Sequence, residues 1–295
     1  MIFKNYYFIP ILLFFLSYAV LYIKKNNPYN SFIFLIYFTF VIQSLIVIAG
    51  LDRYHFTMII PIDLMIFFNS WILMLIVILF ELLYKAKYIV IYATPIVIAA
   101  LLISYFAPSM DINAILKVDS WLLIAHIVLI LTGDSLFALA FILSLIYILQ
   151  ERKLKLKKNL KIINSGNKNS SDKNEGRLFN FRSNFNYFNL GKGYNLELLD
   201  NMNYQCLKLG FPALTAGIVI GIYLSSALFK SVASVKPIEI ISLITWLIYA
   251  ILLHERVAKG LRGNKAAMLS IAGFIMIILT VGFSLYLFPE FHGLK

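Results

Sequence analysis

Long apolar runs, each closed by a short polar stretch, dominate the chain. Eight can be marked out, at about 6–23, 31–50, 62–83, 88–106, 121–149, 207–229, 239–257 and 266–288. Each has the length, about 20 residues, that lets a helix cross roughly 30 Å of hydrocarbon. The pattern predicts an all-α, polytopic integral membrane protein with about eight transmembrane helices. The first run follows Lys4 and looks at first like a signal peptide. It has no small-residue cleavage site, and Lys24 and Lys25 come directly after it, so it reads as a retained helix.

Composition agrees. Of 295 residues 61% are hydrophobic and only 14% charged, where a soluble domain is about half apolar and about a quarter charged. That balance excludes a soluble enzyme, a nucleic-acid-binding domain and a secreted disulfide scaffold. The single cysteine, Cys206, excludes an internal disulfide, a Cys-x-x-Cys redox pair and a thiolate metal site.

The net charge of +12 is unevenly spread. Residues 151–200 hold eleven Lys/Arg against five Asp/Glu, which is half of the excess in one loop. The other odd-numbered loops are basic too, with Lys24 and Lys25, with Lys85 and Lys87, and with Arg256, Lys259, Arg262 and Lys265. The even-numbered loops are poorer in Lys and Arg. Basic loops face the cytoplasm, so the expected orientation is N-out/C-out, with the odd loops inside. The long loop begins QERKLKLKKNLK, which suits a charged continuation of the fifth helix. Its middle, NSGNKNSSDKNEGR, has the composition of a disordered linker. Two parts are expected: a four-helix membrane half over 1–120, and a second membrane domain over 121–295 interrupted by the basic cytoplasmic loop at 151–200.

Four histidines stand out. The orientation puts His55, His126 and His292 toward the outer side and His254 near the cytoplasmic end of the seventh run. A lone histidine in a span is more often a hydrogen-bonded packing residue than a ligand. A pair on one face is more informative, because two neutral imidazoles can hold a haem iron from both sides. His126 and His292 form such a pair. Polar groups inside a membrane are costly and tend to be functional. Asp134, near mid-membrane, reads equally as a proton or ligand site and as a packing group bonded to Ser or Thr. Gln43 and Asn69 read as polar ties between helices, and Glu81 as a residue that snorkels or pairs. Gly210, Gly217 and Gly221, with Ala213 and Ala216, permit close helix approach, and Pro212 suits a helix first turn.

Three stretches together resemble the cytochrome c assembly (CcsA/CcmC-type) family, in its HemX-like branch. WLLIAHIVLILTGDSLFALAFILSLIYIL, 121–149, is similar to the helix that opens the family's domain. LELLDNMNYQCLKLGFPALTAGIVIG, 196–221, resembles its Leu-Glu-x-Leu-Asp segment running into a Gly-Phe-Pro-x-x-Thr-x-Gly helix. SLITWLIYAILLHERVAKGLRGNKAAMLSIAGF, 242–274, resembles its Thr-Trp-x-x-Tyr-x-x-x-Leu-His-x-Arg helix, Gly-x-x-Gly turn and small-residue helix. The first four runs match only in number and hydrophobicity. One departure falls in LFKSVASVKPIEI, 228–240, where the family carries a tryptophan-rich loop. Pro237 and Glu239 align, but Ala233 and Val235 replace tryptophans and Lys236 replaces an aspartate.

The resemblance implies a haem-handling protein of cytochrome c biogenesis that presents haem b on the outer face to apocytochrome c. It places His126 and His292 as axial ligands of the haem iron, His254 at an inner haem site and Lys236 near propionates. The implied partners are a CcsB-like membrane subunit, apocytochrome c, haem and the lipid bilayer, with no nucleic acid. The implied setting is the cell inner (cytoplasmic) membrane, multi-pass. No residue reads as a general acid or nucleophile, so an assembly factor or synthase subunit is expected rather than a stand-alone enzyme. The altered loop favours an alternative: a HemX-like regulator of haem biosynthesis acting on the level of glutamyl-tRNA reductase. A small-molecule transporter centred on Asp134 is a third reading.

Overall fold

A computed structural model of the chain describes residues 3–23, 28–53, 62–86, 89–107, 120–166, 195–229 and 237–287. These form a short 3-10 turn at Phe3–Tyr7 and eight α-helices, with no strand among the described residues. The helices are α1 (Phe8–Ile23), α2 (Pro28–Arg53), α3 (Ile62–Tyr84), α4 (Ile89–Phe106), α5 (Ser120–Gly166), α6 (Leu196–Phe229), α7 (Pro237–Ala258) and α8 (Asn264–Leu287). Each covers one of the apolar runs. Among the described residues five stretches are long and apolar enough to cross a membrane: Pro28–Gly50, Asp63–Tyr84, Ile89–Phe106, Trp121–Leu156 and Leu196–Leu224. Asn5–Leu21 and Asn264–Leu279 are shorter apolar helices.

The surface is what a multi-pass membrane protein requires. Leu12, Phe34, Leu45, Leu83, Val219 and Ile278 are all exposed on their helices, which water would penalise and lipid accepts. Several polar residues of the spans are turned inward and bond across helices. Gln43 Nε2 donates to Ser70 Oγ at 2.9 Å and Trp71 Nε1 to Ser44 Oγ at 2.8 Å, tying α2 to α3. Ser135 Oγ donates to Asn69 Oδ1 at 3.3 Å, tying α5 to α3. Gln43 and Asn69 are thus the interhelical ties that their positions suggested. Glu81 is buried and accepts the Tyr29 hydroxyl at 2.5 Å, and the Tyr18 hydroxyl donates to the Ile91 carbonyl.

Helix α5 is the hub. It packs along α6 over the most extensive interface in the described structure, and also touches α3, α4 and α8. α7 lies on α6 and α8, while α1 to α4 pack among themselves. α5 continues to Gly166, as the charged sequence after residue 149 suggested; Lys155 and Glu151 pair there at 2.8 Å.

α6 differs from its expected start. It begins at Leu196, well before the apolar run. Asn195 caps it, its Oδ1 accepting from the Glu197 N–H at 3.0 Å, and Glu197 complements the positive end of the helix dipole. Pro212 therefore stands inside the helix, not in its first turn. Such an interior proline is tolerated where neighbouring helices enclose it.

Candidate functional site

His126 sits on the second turn of α5 with its ring laid against α6. Its Nδ1 is 2.7 Å from the carbonyl oxygen of Gly217. A carbonyl can only accept, so Nδ1 carries the proton and donates. In the neutral ring this leaves the lone pair on Nε2, the form in which an imidazole binds a metal. The ring fits because α6 carries small residues at this level: a Cβ on Gly221 would come within 2.6 Å of His126 Cε1. Further along the same interface Gly133 faces Gly210 and Leu214, and Gly210 lies under Phe137. The glycines read as close-approach residues serve that purpose.

α7 turns the motif residues of its sequence toward its neighbours. Trp246 Nε1 donates to Thr215 Oγ1 at 2.9 Å, and its ring stacks on Phe211 with centroids 5.5 Å apart. Tyr249, 1% exposed, stacks on Phe137 of α5 with centroids 3.6 Å apart. Arg256 closes the series at the far end. Its side chain is only 3% exposed, and the guanidinium pairs with Asp200 Oδ1 at 2.9 Å and donates to Asn203 Oδ1 at 2.5 Å. Asn203 in turn donates to the Ala140 carbonyl at 2.8 Å and to Ser144 Oγ at 2.9 Å. The same Asp200 oxygen accepts the N–H of Gly263 at 3.2 Å. Gly260 and Gly263 have φ of 62° and 72°, the left-handed backbone that glycine adopts freely. One buried arginine thus joins α5, α6, α7 and the turn into α8. Beside it a cavity of about 410 Å³ is lined by Glu197, Asp200, Tyr204 and Arg262, among others.

The predicted ligands fall in different places. His126 is level with Gly217, and Arg256 is level with Asp200. At 1.5 Å per residue those two levels of α6 are about 25 Å apart. His254, two residues from Arg256, is exposed on α7. His126 and His254 therefore belong to opposite ends of the bundle. His292 and Lys236 lie outside the described residues, as do His55 and the loop segment 230–236. Asp134 lies close enough to Tyr249 to interact with it electrostatically. The Ser or Thr partner that the packing reading called for is not found among the described residues. Among those residues no three His, Cys, Asp or Glu side chains converge as a metal site.

The Arg256–Asp200–Asn203 group was not singled out from sequence, although Asp200 and Arg256 both end motif stretches. The signal was there: a charge of each sign at one end of two adjacent spans, with an asparagine one turn from the acid.

Comparison with known proteins accounts for these stretches. The family model described as Cytochrome C assembly protein matches residues 59–292, taking in α3 and α4 as well as α5 to α8. The cytochrome c biogenesis protein CcsA of Cyanophora paradoxa is 34% identical over 170 residues, covering 54% of this chain and 52% of that protein. CcsA of Microcystis aeruginosa (strain NIES-843 / IAM M-2473) is 42% identical over 81 residues, 28% of this chain and 25% of that protein. CcsA of Marchantia polymorpha is 40% identical over 93 residues, 32% and 29% of the two chains. The matches thus span about half, or less, of the length of these relatives. The family match itself runs over most of the chain, through the His126 notch and the Arg256 junction, and on that ground the chain belongs to the cytochrome c assembly protein family.

Proposed function

We propose that this chain handles haem in cytochrome c biogenesis, holding it on the outer face of the cytoplasmic membrane for attachment to apocytochrome c. The observation that carries the reading is the 2.7 Å contact of His126 Nδ1 with the Gly217 carbonyl. With Nδ1 committed to the Gly217 carbonyl, Nε2 is left as a bare donor atom at a helix interface inside the family match. Iron-bound histidines characteristically spend their second nitrogen on such a carbonyl. The site therefore fits a haem iron on the side that is described. His292 supplies the opposing ligand in this reading, and Lys236 lies in the loop that meets the propionates. Haem b, once bound, supplies the vinyl groups that become thioethers. The chain supplies position: His126 fixes the iron, and the apolar helices keep water from its surroundings.

An inner site at His254 needs a second surface, because that imidazole is exposed on α7. A CcsB-like membrane subunit is the partner that this reading asks for. The orientation is N-out/C-out with eight spans, supported by the Lys and Arg content of alternate loops.

A second reading is favoured by the loop at 228–240, where Ala233, Val235 and Lys236 stand in place of the tryptophans and aspartate. A HemX-like regulator of haem biosynthesis would keep the membrane fold and dispense with an aromatic platform. The relatives named above carry CcsA names, which supports the assembly reading over this one.

Absorption spectra of the purified protein test the choice. The assembly reading expects a Soret band in the wild type that is lost in His126→Ala and in His292→Ala. A haem-free wild type, with glutamyl-tRNA reductase levels that change on deletion of the gene, would establish the regulator instead.

A further inference from the structure

The His126 contact holds more than a hydrogen bond. Gly217 and Gly221 are one turn apart on the same face of α6, and both touch the level of α5 that carries the imidazole. The Gly217 carbonyl is inside the helix, yet a carbonyl has two lone pairs, so it can serve both the helix ladder and the imidazole. Gly221 provides the space. A Cβ there would fall 2.6 Å from Cε1 of His126, closer than real Cβ contacts come, and 3.0 Å from Nδ1, tighter than nearly all of them. Two torsions move the ring, whereas α5 and α6 are held backbone to backbone where Gly133 meets Gly210. Any side chain at 221 therefore displaces the imidazole before it displaces the helices.

We infer that Gly217 and Gly221 are positioning residues for His126. The carbonyl of the first selects the Nδ1–H tautomer, and the missing side chain of the second keeps the ring seated so that Nε2 faces its ligand in one orientation. This rests on the reading of His126 as a haem ligand but concerns a property that exists without haem. A matched control is available in Gly210, on the same helix and about 16 Å away. A Cβ there would crowd Phe137 Cε1 to 2.9 Å and does not approach His126. Gly210→Ala thus applies a comparable steric load to the same interface without touching the imidazole.

The test has two arms, both with the full chain in lipid nanodiscs. In the first, histidine nitrogen NMR of haem-free protein reads the tautomer, with the His126 signals assigned by their loss in His126→Gln. The wild type is expected to show a protonated Nδ1 and a bare Nε2. Gly221→Ala is expected to replace that pattern by averaging between tautomers, and Gly210→Ala to preserve it. In the second arm haemin is titrated and the Soret band followed. Gly221→Ala is expected to weaken binding by about 10- to 100-fold, the usual effect of disturbing the residue that orients a metal-bound histidine, with Gly210→Ala near wild type. A wild-type His126 protonated on Nε2 would overturn the inference, as would equal effects of the two alanine variants. If wild-type protein binds no haemin, the haem reading fails while the NMR arm still decides the positioning role. If Gly221→Ala fails to fold, the wild-type tautomer alone carries that decision.

Discussion

Tyr249 carries a hydroxyl that finds no hydrogen-bond partner among the described residues, although the side chain is buried. Its ring is the useful part, stacked flat on Phe137 between α7 and α5. A buried, unmatched hydroxyl costs free energy, and deleting it relieves that cost. Tyr249→Phe is therefore expected to leave stability unchanged or raise it by about 1 kcal/mol. Tyr249→Ala, which also removes the ring, is expected to lose about 3–5 kcal/mol. Equilibrium unfolding in mixed detergent micelles compares the two, and a loss in Tyr249→Phe as large as in Tyr249→Ala would show that the hydroxyl, not the ring, is what matters. The same residue explains why Asp134 was ambiguous from sequence. A carboxyl in a span announces itself by its cost, but which neighbour it faces depends on how α5 is rotated against α7.

Among the elements, α7 carries the most information per residue. Trp246, Tyr249 and Arg256 all turn inward, each onto a different partner, while His254 turns out. Three-to-four spacing from 249 to 252 to 256 forms one buried stripe, and residue 254 lies off it. Arg256 is the costly member, since a guanidinium removed from water is stable only while its partners remain. Arg256→Ala leaves Asp200 facing Asn203 and the turn without a cation, and is expected to cost about 3–5 kcal/mol. Asp200→Asn in the same background should recover part of that loss. A double-mutant cycle on thermal unfolding measures the coupling, and additive effects would mean that the pair is not joined. The early start of α6 belongs to this scale too. Residues 196–206 are polar enough to lie outside an apolar run, yet the Asn195 cap and the Asp200–Arg256 pair hold them helical.

At the scale of the whole molecule, orientation is the property with the largest functional consequence, because it decides which face holds His126. Cys206 is the only cysteine and is buried, so introduced cysteines can be read against a low background. In the background of Cys206→Ala, a membrane-impermeant maleimide is expected to label Ser234→Cys from outside in intact cells. Ser170→Cys is expected to react only in inverted vesicles. Reversed labelling would place His126 on the cytoplasmic side and remove the outer-face reading of the site.

Hydrophobicity alone, read along the chain, determined that this is a multi-pass helical membrane protein, because bilayer thickness imposes a length on every apolar run and leaves the backbone little choice but helix. Residue identity along the chain marked the family segments, since motifs are local in sequence. Tertiary structure decided everything that depends on helix rotation and pairing. Only the packing of α5 on α6 lays the Nδ1 of His126 against the Gly217 carbonyl. Packing likewise sends Arg256 into a buried junction and His254, two residues earlier, to the surface. In a span that is apolar on all sides the pattern of hydrophobic residues does not mark the inner face. The small and polar residues that do mark it acquire meaning only from the neighbour that each one meets.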